Sequence, residues 1–171
     1  MRRAVEAPAK AARGISRLFR KNMTISEIDH LFSDHFTYLD RVVSNRLPDH
    51  DQRQRGPVVM AFLELDRDLY FVHDVKAITC NAGMGAWVDY HIDDSNWIDD
   101  AARAFEAIGY GVVGHNLKEC RKRYIAVGGN FENWDDRDLS KPVWDLEEPL
   151  MRALYDHLIA RDFVFKKPSE E

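Results

Sequence analysis

The sequence is poor in several signatures on which function is usually read. It has only two cysteines, Cys80 and Cys120, with no CxxC spacing. That excludes a disulfide framework and a thiolate zinc site, and points to reduced thiols in a cytoplasmic protein. No apolar run approaches the ~20 residues that cross a bilayer. Arg2, Arg3, Lys10, Arg13 and Arg17 break any secretory hydrophobic stretch near the start. There is no HExxH, no GxSxG elbow and no Lys-Ser/Thr pair after a glycine loop. These absences remove the usual metalloprotease, serine-hydrolase and P-loop readings. Strand-like alternation is scarce, and no internal repeat or low-complexity tract is present.

What the chain does have is charge and aromatic bulk. It carries 171 residues, 45% hydrophobic and 31% charged, enough for one domain with a sizeable core. The net charge of −5 conceals an asymmetry. Residues 1–22 hold seven bases against Glu6, a balance of +6, which leaves −11 for the remainder. The reading is a basic N-terminal arm, flexible or peripherally docked, followed by an acidic helical domain over 23–171. An acidic body disfavours direct contact with nucleic acid and favours cationic partners.

Helical periodicity dominates. "TISE" at 24–27 has the form of a capping box. Ile25, Ile28, Phe32, Leu39 and Val43 follow at three-and-four spacing, with Leu31, Phe36 and Val42 widening the stripe. Leu47 to Pro57 reads as a loop. Val58, Phe62, Leu65, Leu69, Val72 and Val75 make one further stripe, with Glu64, Asp66, Arg67, Asp68, His73, Asp74 and Lys76 outward. Ile98, Ala101, Ala102, Phe105 and Ile108 define a helix from about Asn96, capped by Gly109. Val113, Leu117, Cys120, Tyr124 and Val127 define another, with "KECRKR" outward. Residues 128–145 read as a long connection carrying Trp134 and Trp144. Leu150, Leu154 and Leu158 give a last helix, and Phe163 and Phe165 an extended, packed tail. The expected fold is all-α, a single multi-helix domain.

The segment "CNAGMGAWVDYH" at 80–91 has the small residues of a phosphate-binding turn. Ala86 and Trp87 stand where a P-loop needs Lys and Ser/Thr, and a helical pattern precedes it where a dinucleotide fold needs a strand. It reads instead as a helix junction, with Asn81 and Gly83 turning the chain and Gly85 and Ala86 admitting a close neighbour. His30, Asp34 and His35 sit at spacing compatible with one edge of a metal site. No second histidine segment completes it, so surface or capping roles are expected and no metal or cofactor is assigned. Cys80 and Cys120 are expected to be buried and structural.

The most suggestive feature is acidic. Asp89, Asp93, Asp94, Asp99 and Asp100 lie within twelve residues that hold no Lys or Arg, with Trp97 among them as an aromatic anchor. Glu132, Asp135, Asp136, Asp138, Asp145, Glu147 and Glu148 follow later. A row of carboxylates repels itself unless a cation offsets it, and so presents a field suited to a basic surface. Two functions from different classes are expected to compete. One is a non-enzymatic interaction domain that binds a basic protein through these residues. The other is a small-molecule-binding or catalytic domain with a pocket near Asn81, His91 and Cys120.

Asn81, Gly83, Trp87, Ala104, Phe105, Ile108 and Gly109 also carry a resemblance. The stretch from Asn81 to Gly109 resembles the DNA-mimic-protein-19-like family, built on an N-N-G-G-F-x-Q-[FY]-[FY] motif followed by a helix reading A-L-x-x-I-G. "AARAFEAIG" at 101–109 matches the second half; Cys80, Ala82, Met84 and Ala86 depart from the first. The resemblance implies a mostly helical domain, often dimeric, with no catalytic residues. One member of that family displays duplex-like negative charge to a DNA-binding protein, so a DNA-binding regulator is the implied partner class.

Overall fold

A computed structural model describes residues 23–47, 55–93, 95–129 and 134–168, without the side chain of Ser95. The basic arm at 1–22, Asp94 and Glu132 lie outside the described residues. Eight helices are found among those described, and no strand. They are α1 (Ile25–Arg46), α2 (Arg55–Met60), α3 (Glu64–Ala82), α4 (Met84–Tyr90), α5 (Ser95–Ala107), α6 (Gly111–Ala126), α7 (Arg137–Asp145) and α8 (Glu147–Ile159).

The capping box forms as its sequence requires. The Thr24 hydroxyl accepts the Glu27 backbone N–H at 3.3 Å, and the Thr24 N–H donates to the Glu27 carboxylate at 2.7 Å. Behind it α1 buries Ile28, Phe32, His35, Leu39 and Val43. His35 corrects the expectation of a surface histidine: it is 1% exposed. Its Nε2 pairs with Asp66 at 2.9 Å, and its Nδ1 accepts the Lys166 backbone N–H at 2.9 Å. His30 is exposed and only loosely paired with Asp34, at 3.8 Å.

The second stripe is two helices, not one, and Arg55, Gly56 and Pro57 belong to the first of them rather than to a loop. The chain turns at Ala61–Leu63, where Leu63 is 78% exposed. Val59, not Val58, is the buried residue of α2. Arg67 donates to the carbonyl of Met60, the last residue of α2, at 3.1 Å, satisfying an end that has no helical partner. From there α3 runs through the middle of the molecule, packed against α1, α4, α5, α7 and α8. It is covered on most sides, yet Glu64 stays exposed and Asp66, Arg67, His73, Asp74 and Lys76 part-exposed, as the pattern expects. Leu69, Tyr70, Phe71, Val72, Val75 and Thr79 are buried, and so is Asp68, which the pattern had put outside.

The glycine segment is the α3–α4 junction. Gly83 turns the chain at φ +87°, where a side chain is strained. The Gly85 N–H donates to the Asp136 carboxylate, and the Met84 N–H to the Ser140 hydroxyl at 2.8 Å. A Cβ on Gly85 would lie 2.6 Å from the Trp134 indole nitrogen. The Asp136 carboxylate thus satisfies a backbone N–H at the start of α4.

Asp136 leads into α7, which corrects the reading of 128–145 as a connection. Pro142 lies inside this helix. It removes one intrahelical bond, and the carbonyl so freed belongs to exposed Asp138. Leu139, Ser140 and Val143 are buried, and Asn116 donates to the Leu139 carbonyl at 2.9 Å.

Helices α5 and α6 form the most extensive pair. Their approach depends on Gly114, where a Cβ would meet the Ala102 carbonyl oxygen at 2.7 Å. Gly109 ends α5 at φ +84°, and the Tyr110 N–H closes back on Phe105 at 2.8 Å, as a helix C-cap should. Phe105 is fully buried and Ile108 nearly so. Val127 lies past the end of α6 and is 42% exposed, outside the stripe assigned to it. Phe163 and Phe165 pack as an extended tail, edge-on to His35 at 4.9 and 6.0 Å. No described helix is long and apolar enough to cross a membrane.

Candidate functional site

Among the described residues a cleft of about 540 Å³ opens between α2 and α5. Gly56, Pro57 and Met60 form one wall; Asn96, Trp97, Asp99, Asp100 and Arg103 form the other. The α5 wall follows from helical spacing. Asn96, Asp100 and Arg103 stand at i, i+4 and i+7 on one face, while Trp97 points one position inward.

Trp97 is held rigidly. It is 3% exposed, so it is core as well as cleft lining. His91 stacks on it at 4.9 Å and 20°, and Phe71 meets it edge-on at 5.0 Å. His91 also lies 4.7 Å from Trp87, whose indole N–H donates to Asp74 at 2.8 Å. Trp87 and His91 of the glycine segment therefore fix the plane of the cleft's aromatic wall.

The carboxylates differ in their company. Asp99 faces Lys118 of α6 at 3.4 Å, and Asp100 faces Arg103 at 3.4 Å through both Nε and a terminal nitrogen. These separations exceed the 2.7–2.9 Å typical of a charge-assisted hydrogen bond, so both pairs are loose. Behind Arg103 lies Asp68 of α3, 0% exposed. Among the described residues its Oδ1 has no hydrogen-bond partner, and it sits 3.9 Å from an Arg103 nitrogen. Its Oδ2 meets His157 Nε2 at 3.2 Å. Arg161 reaches the other imidazole nitrogen at 2.8 Å, and an arginine only donates. Nδ1 is then the acceptor, and the proton sits on Nε2, facing Asp68. Burial pushes the Asp68 carboxyl above its ordinary value, against the opposing pull of His157 and Arg103.

Asp89 and Asp93 are not among the residues that line this cleft. Asp89 is exposed and accepts the Tyr124 hydroxyl near the end of α6. Asp93 is exposed in the turn between α4 and α5. The later acids are taken up by neighbours: Asp135 by Arg137 at 3.5 Å, Asp138 by Arg123 at 2.8 Å, Asp145 by Lys141, and Glu147 by Lys76 at 3.1 Å. Asn81, His91 and Cys120 are not among the residues that line this cleft. Asn81 is exposed and donates back to the Ala77 carbonyl at 2.7 Å. Cys120 is fully buried, and burial pushes its thiol up to about 12. Cys80, expected to be buried, is exposed.

Sequence reasoning missed Gly56, Pro57 and Met60, which it had left in or beside a loop, and Asp68 and Arg103. Arg103 carried one legible signal: it stands at i+3 and i+4 from the two carboxylates it shares the cleft with. Compared with known proteins, the chain matches no family model, no curated protein and no solved structure.

Proposed function

We propose that the protein is an interaction domain that takes a Lys- or Arg-bearing segment of a basic partner into the α2–α5 cleft. The observation that supports this reading is the pairing of surfaces there. Pro57 and Met60 offer apolar contact on one wall, and Asp99 and Asp100 stand on the facing wall beside Trp97. Long cationic side chains have this two-part chemistry, an apolar stem and a charged head. The carboxylates are held only by loose ion pairs, exposed at Asp99 and part-exposed at Asp100, worth about 0–1 kcal/mol each, so an incoming cation can replace their present partners. A nucleic-acid-binding regulator, the partner class implied by the DNA-mimic resemblance, is one basic protein of this kind.

Fluorescence anisotropy with a labelled hexa-arginine peptide tests the reading. Binding is expected at low salt and should fall steeply as ionic strength shortens the ~10 Å screening length. Asp99→Asn with Asp100→Asn should weaken it by about tenfold, the effect of two exposed charges at up to ~1 kcal/mol each. Affinity indifferent to both salt and the double substitution would remove the cleft from consideration.

A further inference from the structure

Arg103 is shared between two carboxylates and holds neither closely. It is 3.4 Å from Asp100 at the cleft and 3.9 Å from Asp68 behind it. Its side chain is 40% exposed, while Asp68 is 0% exposed. Leaving a buried oxygen such as Asp68 Oδ1 without a donor is costly, and Arg103 Nη1, 3.9 Å away, belongs to the guanidinium whose Nε and Nη2 face Asp100. Asp68 cannot move to meet it, because its other oxygen is engaged by His157, itself engaged by Arg161.

From this geometry we infer that Arg103 is a transferable cation, which Asp100 releases to Asp68 when a cationic group enters the cleft. The inference rests on the cleft reading above. With no ligand, Arg103 partly neutralises Asp100 and competes with any incoming lysine or arginine. When a ligand's cation pairs with Asp100, the guanidinium moves inward and gives Asp68 Oδ1 the donor it lacks. No net charge is buried without a partner at either stage. Asp68 is then a positioning residue: it never touches the ligand, yet it sets how readily the cleft is vacated. The ligand class is a guanidinium or ammonium on an extended, basic segment.

A double-mutant cycle with the hexa-arginine peptide tests this. Asp68→Asn keeps an acceptor for His157 but removes the charge that draws Arg103 inward. It should weaken peptide binding about three- to fivefold, the size of one weak ion pair whose cation is part-exposed. Arg103→Gln removes the competitor and should tighten binding by a similar factor. In the Arg103→Gln background, Asp68→Asn should have no further effect, because the residue through which Asp68 acts is gone. Equal weakening in both backgrounds, or none in the wild type, overturns the transfer while leaving the cleft reading intact. Failure of both wild type and Arg103→Gln to bind the peptide overturns the cleft reading, and the transfer with it.

If a variant does not fold, the signal of the wild-type Arg103 Nη1 protons, on the nitrogen that faces Asp68, gives a second measurement in a nitrogen-15 spectrum. Their exchange with solvent should slow on peptide addition, as the guanidinium closes on the buried carboxylate. Faster or unchanged exchange on binding overturns the inference.

Discussion

Single residues in this protein take their roles from what covers them. Gly83 and Gly85 show it at the α3–α4 junction. A Cβ at Gly83 would sit 2.8 Å from the Asp136 carboxylate, on a backbone at φ +87°. Gly83→Ala should therefore cost about 1–3 kcal/mol in a denaturant melt, the usual cost of a side chain in strained backbone. A neutral result would mean that Asp136 yields freely and is no anchor for α4.

His73 illustrates the same dependence through pH. Burial first, then nearby Lys76, pushes its imidazole down to about 4. The unfolded chain has a histidine near 6.5 and so binds more protons between pH 4 and 6.5. His73 therefore contributes stability that is full above pH 6.5 and is lost as pH falls toward 4. That contribution is roughly 3 kcal/mol over the window, since a tenfold change in proton affinity corresponds to about 1.4 kcal/mol. His73→Phe should flatten the slope of stability against pH there. An unchanged slope would show that other groups carry it.

At the scale of elements, the tail and α1 make a clasp. Both ring nitrogens of His35 are used, one on Asp66 at the start of α3 and one on the Lys166 backbone. Phe163 and Phe165 pack against the same ring. His35→Ala leaves the Lys166 N–H and Asp66 without this partner and opens a cavity beneath two aromatics. A loss of about 2–4 kcal/mol is expected, with faster amide exchange at Lys166 than in the wild type. Exchange at Lys166 equal to that of the wild type would argue that the tail is held by its phenylalanines alone. Helix α7 adds a second lesson. Its proline and polar sequence read as a connection, yet burial of Leu139 and Val143 and the bond from Asn116 hold a helix there. Both supports come from residues distant in sequence, so no local pattern could announce them.

Across the whole molecule, one apolar cluster runs from α1 through α3 and α5 to Phe163 in the tail. Trp87 and Trp97 lie in it, at 0% and 3% exposure. A continuous core predicts a single cooperative transition, so melts followed by tryptophan fluorescence and by far-ultraviolet circular dichroism should coincide. Separated midpoints would divide the chain into two folding units. The charge of the molecule is also resolved at this scale. The second group of acids, from Asp135 to Glu147, is taken up by neighbouring bases and by the α4 junction. Asp99 and Asp100 remain beside an open cleft.

Local order along the chain determined the helical class, the Thr24 cap, the Gly83 turn, the Gly109 stop and the buried stripes of α1, α5, α6 and α8. These depend on contacts within one or two turns, which spacing records directly. Tertiary structure alone decided that α3 is central and Asp68 buried, that α2 is a separate helix, that α7 forms around a proline, and that Asp100 meets a cleft. Each of those depends on which surfaces arrive from far along the chain, and a linear pattern of apolar and charged residues carries no distance between them.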